Sequence, residues 1–325
     1  MENANELLKH RVMVLDDEQG IVNAVRRELS TPPLGKMNYE IETFTDPQAA
    51  LARAREVEFE AVLSDYRMPQ MTGLEFLTEL GKIQPDCVRI VLSGQTDFDA
   101  LVQMINETHI YRFIPKPWSS YFLKSTLSQA ITFRRTTVEN RKLAKQLRDN
   151  GIELPAGSVN EIDQVLVVDD SENVANAVAR SLTRRSALDD VFREVHAESQ
   201  GTRLPDLNPQ RISVQVSDSP QHALKMADEV TFSCVIADYR MPVMDGAEFL
   251  TQFAEKQPDC ACILFSGAAN MESVVIALDL AHIHAFIPKP WNDYELRASV
   301  AQALARRRLM IENRILAQMC KARNL

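Results

Sequence analysis

The chain has 325 residues with 45% hydrophobic and 25% charged content, which suits two globular domains of ordinary size. Its formal net charge of −9 argues against broad nucleic-acid binding. No apolar run approaches membrane-spanning length, and acidic Glu2 and Glu6 stand where a secretory leader would be basic, so we expect a cytoplasmic protein without membrane contact. Five cysteines without paired spacing favour core packing over a disulfide framework or a zinc site.

Short apolar runs alternate with helix-like segments in the first half of the chain. The runs cover residues 12–15, 39–44, 61–63, 90–92 and 113–114. Continuous runs of Val, Ile and Leu are typical of buried parallel strands, whereas 39–44 alternates more and therefore predicts an edge strand. The pattern predicts an α/β domain with a five-stranded, doubly wound parallel sheet.

The second half of the chain repeats this order. Its apolar runs cover residues 165–168, 212–216, 234–236, 263–265 and 286–287. We therefore predict two tandem α/β domains joined by a helical linker. The predicted bounds are 8–133 for the first domain, 134–160 for the linker and hinge, 161–305 for the second domain and 306–325 for a C-terminal helical extension.

One segment breaks the repeat. Asp169 and Asp16 are 153 residues apart (169 − 16), whereas Asp238 and Asp65 are 173 apart (238 − 65), so the second domain carries an insertion before its second strand. The insertion lies within 184–211. We expect 187–198 to extend the first helix of that domain, and 201–209, which contains two prolines, to be a loop.

Polar residues that end the predicted strands recur with one spacing. The interval of 173 residues separates three pairs: Asp65 and Asp238, Ser93 and Ser266, and Lys116 and Lys289. An interval this long indicates a duplicated domain, since solenoid repeats recur every few tens of residues. Each half is therefore expected to carry a complete site.

The polar residues suit phosphoryl transfer. Acid pairs follow the first strand of each half, and one more acid follows the third strand, so the carboxylates are expected to meet at the carboxyl ends of neighbouring strands. Three carboxylates this close repel unless a cation bridges them, and oxygen-only ligands favour Mg²⁺. An aspartate can act as the nucleophile while a lysine and Mg²⁺ neutralise the phosphoryl oxygens. The expected product is an aspartyl phosphate.

Both halves resemble the receiver (CheY-like) domains of bacterial two-component response regulators, whose fold is flavodoxin-like. The motifs that carry the resemblance are Asp65-Tyr66-Arg67-Met68-Pro69 and Asp238-Tyr239-Arg240-Met241-Pro242, with the acid pairs, serines and lysines around them. The resemblance implies that Asp65 and Asp238 are phosphoacceptors. It implies Mg²⁺ ligation by those two acids, by Asp16, Asp17, Asp169 and Asp170, and by the backbone carbonyls of Arg67 and Arg240.

The resemblance also implies roles for the residues after the fourth and fifth strands. Lys116 and Lys289 would pair with the phosphate, each before a cis proline bond. Ser93 and Ser266 would be switch hydroxyls, and Phe113 and Phe286 the aromatic side chains that turn with them. A buried aromatic residue without a switching role would give the same pattern at the two phenylalanines, so that alternative stays open.

The expected function is phosphorylation-dependent signalling. A histidine kinase or phosphotransfer protein would supply the phosphoryl group, and an unidentified protein partner would read the result, because no GGDEF, HD-GYP or DNA-binding segment is found. A phosphate sink for a shared kinase is one alternative. An Asp-nucleophile phosphatase is another, but Arg67 and Arg240 occupy the position where such enzymes place a general acid.

The helical extensions of the two halves also repeat. Val138-Glu139-Asn140-Arg141 corresponds to Ile311-Glu312-Asn313-Arg314. Apolar positions such as Leu304, Ile311, Ile315 and Met319 approach three/four spacing, yet the stretch is too short and irregular to establish a coiled coil. Homodimerisation through these helices is left open. We expect phosphorylation to act on residues 133–150 and 305–325.

Overall fold

The computed structural model describes residues 9–30, 38–94, 110–154, 162–184, 211–267 and 283–323. They form two compact units that divide between Val138 and Glu139. The predicted helix and loop of the insertion, at 187–198 and 201–209, lie outside the described residues. No helix in the described ranges combines the length and apolar character needed to cross a membrane.

The first unit contains a five-stranded sheet. Its strands are β1 (Lys9–Leu15), β2 (Asn38–Phe44), β3 (Ala61–Asp65), β4 (Val88–Ser93) and β5 (Ile110–Pro115). All pairs are parallel and the order is β2-β1-β3-β4-β5, which confirms the predicted fold and the edge position of β2. The helices are α1 (Gln19–Ser30), α2 (Pro47–Glu56), α3 (Gly73–Ile83) and α4 (Ser120–Asp149).

The second unit has the same sheet. Its strands are β6 (Asp163–Val168), β7 (Ile212–Ser217), β8 (Cys234–Asp238), β9 (Ala261–Gly267) and β10 (Ala285–Lys289), in the order β10-β9-β8-β6-β7 with all pairs parallel. The helices are α5 (Glu172–Thr183), α6 (Pro220–Glu229), α7 (Gly246–Lys256) and α8 (Asp293–Ala322). Two tandem doubly wound domains are therefore confirmed.

The central strands are buried because helices cover both faces of each sheet. β3 and β8 are buried along their whole length. The helices contribute one apolar stripe each, such as Phe76, Leu77 and Leu80 from α3. Burying a side chain of this kind contributes about 1.5–3 kcal/mol. All five cysteines are free and buried, and burial raises the pKa of Cys87 and of Cys262 to about 12, as expected for thiols that serve packing.

A glutamine after α3 and another after α7 make the same set of hydrogen bonds. The Gln84 side chain accepts from the backbone N–H of Phe59 and donates to the carbonyls of Ala54 and Val57. Gln257 contacts Phe232, Ala227 and Val230 in the same way. Each glutamine therefore satisfies the backbone of the loop between the second helix and the third strand of its domain.

The long helix α4 crosses the boundary between the units. Its Arg134 donates to the carbonyl of Asp86 at 3.1 Å, and Arg307 of α8 donates to the carbonyl of Asp259 at 2.9 Å, so each helix is fixed to the loop before the fourth strand of its domain. α4 ends at Asp149, and Gly151 beyond it has a φ of +71°, which lets Ile152 N–H reach back to the carbonyl of Leu147 at 3.0 Å. Gly151 therefore acts as the C-terminal cap of α4.

Candidate functional site: an acid and lysine cluster in each unit

The first cluster lies at the carboxyl ends of the adjacent strands β1 and β3. Asp16 follows β1 directly and its side chain is fully buried, while Asp65 is the last residue of β3. The backbone N–H of Glu18 donates to Asp16 Oδ1 at 3.0 Å and so fixes that carboxylate. The pairing of β1 with β3 brings the two acids together.

Lys116 joins these two acids. Its Nζ lies 2.7 Å from Asp16 Oδ2 and also contacts Asp65 Oδ1. Burial alone would lower the pKa of Lys116, but its hydrogen bonds to both aspartates raise the pKa above the ordinary value. Burial raises the pKa of Asp16, although Lys116 opposes that shift. The lysine therefore stays charged and partly neutralises a carboxylate that is costly to bury.

The second unit builds the same cluster. Lys289 Nζ lies 2.7 Å from Asp169 Oδ2 and 2.8 Å from Asp238 Oδ1. The backbone N–H of Ser171 donates to Asp169 Oδ1 at 2.9 Å, as Glu18 does to Asp16. Burial raises the pKa of Asp238 while Lys289 lowers it, and the net shift is upward. The hydrogen bonds to Asp169 and Asp238 raise the pKa of Lys289 against the effect of burial.

The loop after each phosphoacceptor candidate is set by backbone contacts. Arg67 N–H donates to Asp65 Oδ2 at 2.7 Å, and Gly73 N–H donates to the carbonyl of Tyr66 at 2.8 Å. A Cβ on Gly73 would lie 2.1 Å from the carbonyl oxygen of Asp65, and one on Gly246 would lie 2.1 Å from that of Asp238. Glycine is therefore required where the following helix begins, because any side chain would displace the aspartate.

The carboxylates suit a divalent cation. One ligand oxygen from each of Asp169, Asp170 and Asp238 lies within 4.8 Å of the others, and Asp170 is exposed where the other two are buried. Among the described residues of the first unit, Asp17 is likewise exposed, but its carboxylate and those of Asp16 and Asp65 do not meet the same distance. The donor set of oxygens, with two buried acids, fits Mg²⁺.

The remaining predicted residues lie on the fourth and fifth strands of each sheet and in the Lys-Pro bonds at the ends of the fifth strands. Ser93 is buried at the end of β4, and Phe113 is partly buried against the core of the first unit. Ser266 lies in β9 and Phe286 in β10, but their side chains fall outside the described part of the structure. Both Lys-Pro bonds, Lys116-Pro117 and Lys289-Pro290, are cis.

One aromatic feature was not predicted from the sequence. Each cis proline is followed by a tryptophan, and the chain has only these two, Trp118 and Trp291. Trp291 packs against Phe265 with ring centroids 5.3 Å apart, and Lys289 Nζ lies 5.9 Å from the same Phe265 ring. Each unit thus carries one tryptophan two residues from its clustered lysine, and that spacing was visible in the sequence.

Comparison with known proteins agrees with this duplication. A family model described as the response regulator receiver domain matches residues 12–128 and 205–301. The second match begins downstream of β6, yet β6 pairs with both β7 and β8. Asp169 and Asp170, which follow β6, therefore belong to the second domain although the match does not reach them.

Curated relatives match single segments of the chain. It is 34% identical over 137 residues to the hydrogenase transcriptional regulatory protein HoxA of Cupriavidus necator, covering 42% of this chain and 27% of HoxA. It is 28% identical over 110 residues to the transcriptional regulatory protein FixJ of Bradyrhizobium diazoefficiens, covering 34% of this chain and 53% of FixJ. The chain thus spans about a quarter to a half of the length of these relatives.

A solved structure, the signal receiver domain of an HD domain-containing protein from Pseudomonas fluorescens, is 28% identical to this chain. It covers 39% of this chain and 98% of its own, with a TM-score of 0.37. The family matches at 12–128 and 205–301 together span more than half of the chain, and each falls on one of the two parallel sheets. The chain therefore belongs to the response regulator receiver family and carries two receiver domains.

Proposed function

We propose that this response regulator accepts phosphoryl groups on Asp65 and Asp238 from a histidine kinase or a phosphotransfer protein. The observation that carries the proposal is the duplicated cluster, in which one ammonium contacts the acid after the first strand and the acid that ends the third strand. A phosphoryl group adds close to two negative charges at neutral pH. The lysine is placed to neutralise part of that charge.

Both receivers offer oxygen donors of the kind that Mg²⁺ prefers, and among the described residues the three carboxylates of the second receiver converge within 4.8 Å. The residues that would hold it are Asp16, Asp17, Asp65 and the Arg67 carbonyl in the first receiver, and Asp169, Asp170, Asp238 and the Arg240 carbonyl in the second. When bound, the ion would neutralise charge on the phosphoryl oxygens.

The orientation of the acceptor carboxylate comes from the chain itself. Lys116 holds one oxygen of Asp65 and the backbone N–H of Arg67 holds the other. An aspartate oxygen forms the new bond to phosphorus while the bond from phosphorus to the donor atom breaks, and the donor keeps that electron pair. A carboxylate fixed at both oxygens directs this attack along one line.

We infer that the aspartyl phosphate is a signalling state rather than an intermediate in the turnover of small phosphoesters. The residue two positions after each acceptor is an arginine, Arg67 or Arg240. A guanidinium stays protonated in proteins, so it does not exchange protons as a general acid would. The chain is proposed to act as a phosphoacceptor and not as an enzyme with a separate substrate.

We further propose that the phosphorylated chain signals through protein contacts. α4 and α8 begin shortly after Lys116 and Lys289. These helices are therefore placed to respond to a change at the clusters. We also propose a cytoplasmic location without nucleic-acid or membrane partners. The downstream protein is unidentified.

The two tryptophans allow a test of each receiver by itself. Trp118→Phe leaves Trp291 as the reporter of the second receiver, and Trp291→Phe leaves Trp118 as the reporter of the first. Fluorescence is recorded during titration with Mg²⁺ and then with beryllofluoride, a mimic of the phosphoryl group. We expect the fluorescence of both tryptophans to respond. Beryllofluoride should change the fluorescence only after the receiver is saturated with Mg²⁺.

Aspartate variants decide whether the response is local. Asp65→Asn should remove the beryllofluoride response of Trp118 and leave that of Trp291 intact, and Asp238→Asn should do the reverse. A Trp118 response that survives Asp65→Asn, or two reporters that ignore beryllofluoride in the parent protein, would overturn the proposed function.

A further inference from the structure

The end of α4 packs against α8, and both segments lie within the second unit. Ala144 and Leu147 of α4 form one buried cluster with Leu316 and Cys320 of α8. Leu143, Ile152, Leu154 and Met319 are partly buried against it. The cluster is separate from the sheet cores and from both acid and lysine sites.

A pair of asparagines lies beside this apolar cluster. Asn140 is only 5% exposed, and Asn313 Nδ2 donates to its Oδ1 at 2.8 Å. Asn140 Nδ2 donates to the carbonyl of Leu309 at 3.1 Å and to Glu312 Oε2 at 3.0 Å. The amide groups of the two helices are therefore satisfied by each other and by α8.

The contacts fix the direction and the register of the two helices. Asn140 is hydrogen-bonded to Asn313, and further along both helices Leu147 shares one buried cluster with Leu316 and Cys320, so the helices run parallel. Asn140 and Asn313 are 173 residues apart, which is also the interval between Asp65 and Asp238. The helices therefore pair through equivalent positions of the duplicated sequence.

The spacing of the contact residues is that of a heptad. Asn140, Leu143 and Leu147 are separated by three and then four residues, as are Asn313, Leu316 and Cys320. Asn140 and Asn313 fall on one core position, and Leu143 and Leu316 on the next. A single asparagine at such a position reduces stability but specifies register and two-stranded association in parallel coiled coils.

We propose that α4 and α8 form a parallel two-stranded coiled coil within one chain, with Asn140 and Asn313 setting its register, and that both receivers act on this one helix pair. The second part rests on the proposed function. The partner of α8 is then the α4 end of the same chain, not a second copy. Homodimerisation through these helices, which the sequence left open, would use the same surface of α8, and α4 of the same chain already covers it.

A native thiol allows a direct test of the register. Leu147→Cys introduces a thiol at the position paired with Cys320, whereas Asn140→Cys introduces one a heptad away, about 10 Å along the helix. The full-length variants are treated with oxidised glutathione, which accepts the two electrons released when a disulfide forms. We expect Leu147→Cys to form an intrachain disulfide with Cys320 at least ten times faster than Asn140→Cys.

Mass spectrometry and a non-reducing gel distinguish the outcomes. An intrachain bond between the introduced thiol and Cys320 at the monomer mass supports the proposal. A covalent dimer would show that the helices pair between copies, and equal rates for the two variants would show that the register is not fixed. Either result would overturn the proposal.

Valine substitutions test the role of the asparagines without an added thiol. Asn140→Val alone leaves Asn313 facing an apolar group and should lower the Tm by about 2–4 °C. The double change to valine should restore the Tm to the parent value or above it, and light scattering should then detect oligomers. Additive Tm losses in the double variant, with an unchanged monomer mass, would contradict a register-setting pair.

The disulfide rate of Leu147→Cys also tests whether both receivers act on the helix pair. We expect Mg²⁺ and beryllofluoride to change this rate by at least threefold, and Asp65→Asn and Asp238→Asn each to remove part of the change. If the tryptophans report binding at both sites while the rate stays constant, the proposed function stands and this coupling is wrong.

Discussion

The two receivers share their charged cluster and differ in what surrounds it. Lys289 lies over the ring of Phe265, whereas the corresponding residue in the first receiver is Leu92. In the first receiver Arg89 and Arg112 are buried on β4 and β5, and the second has Cys262 and Ala285 at those positions. Burial lowers the pKa of Arg89, a cost that a cysteine avoids. What both copies retain is the acid and lysine cluster and the backbone contacts around the aspartate.

The loops after Asp65 and Asp238 show the same contrast. Gly73 and Gly246 are retained because each lies against an aspartate carbonyl. Three residues earlier, the first receiver has Gln70 and the second has Val243, which is 92% exposed with a φ of +75°. Positions that touch the acid are thus the same in both receivers, while neighbouring positions that face solvent have diverged.

The largest predicted effect concerns a feature that both receivers share. Gln84→Ala removes the partners of the Phe59 N–H and of the Ala54 and Val57 carbonyls. Each buried polar group left without a partner costs about 1–3 kcal/mol, so we expect a loss of about 3 kcal/mol in the free energy of unfolding of the first receiver. Gln257→Ala should cost the second receiver a similar amount.

Urea unfolding measures both losses, and Gln19→Ala, at an exposed glutamine of α1, is the matched control with little expected effect. Losses that differ between the two receivers by more than about 2 kcal/mol would contradict equivalent roles for the two glutamines.

The next effect concerns the clustered lysines. Lys116→Met removes an ammonium that contacts the same carboxylates that Mg²⁺ would bind, and it also removes repulsion between the two cations. We expect Mg²⁺ to bind the first receiver about tenfold more tightly, which corresponds to about 1.4 kcal/mol of binding free energy. Lys289→Met should have an equal effect on the second receiver. Titration of Trp118 and Trp291 fluorescence measures each, and weaker binding in either variant would oppose this account.

A smaller effect concerns the first turns of α3 and α7. Thr72 and Asp245 accept hydrogen bonds from the backbone N–H groups of Glu75 and Glu248. Replacing either cap by alanine should reduce stability by about 1 kcal/mol. The loss for Asp245 should shrink in high salt, because its charge interacts with the helix dipole, whereas the loss for the uncharged Thr72 should shrink less. Chemical denaturation measures both losses, and an equal salt dependence for the two variants would contradict a charge effect specific to Asp245.

The Thr72 cap should also depend on pH. Hydrogen bonds from the Thr72 backbone and hydroxyl lower the pKa of Glu75. A carboxyl group whose pKa is lowered by folding stabilises the protein above its unfolded pKa, and this contribution disappears as the pH falls through the folded value. The difference in stability between the parent and Thr72→Ala should therefore be largest near neutral pH and decrease in acid.

The smallest predicted effect is a difference in stability between the loop that contains Val243 and the matched loop of the first receiver. Among the described residues, Val243 is the non-glycine residue with positive φ. Asparagine adopts this conformation at lower cost than a β-branched residue. Val243→Asn should therefore raise stability by about 0.5 kcal/mol. Gln70→Asn, at the matched position of the first receiver, should change stability by less than this. Equal gains in stability for the two variants, measured by thermal unfolding, would contradict backbone strain at Val243.

The sheets and the acid and lysine clusters were predictable because their signals are local and repeated. Continuous apolar runs such as 12–15 and 61–63 predicted buried parallel strands, and the interval of 173 residues predicted second copies of Asp65, Ser93 and Lys116. The contacts that fix the aspartates, from the backbone of Glu18, Ser171 and Arg67, leave no signal in side-chain identity. They depend on the turn that follows each strand.

The pairing of α4 with α8 was not predictable from apolar spacing. The sequence directed attention to Ile311, Ile315 and Met319. Met319 packs against the cluster, but the buried contacts on α8 come from Leu316 and Cys320, and Ile315 is exposed. The contact also contains a polar pair, Asn140 and Asn313, which a search for hydrophobic heptads passes over. Recognising it required the equivalence of the two asparagines in the duplicated sequence.

Each receiver is proposed to be a working phosphoacceptor. Intact-mass spectrometry after incubation with acetyl phosphate and Mg²⁺ tests it most directly, on the parent and on Asp65→Ala, Asp238→Ala and the double variant. We expect two added phosphoryl groups on the parent, one on each single variant and none on the double variant. An unmodified parent, or an adduct that persists in the double variant, would contradict it.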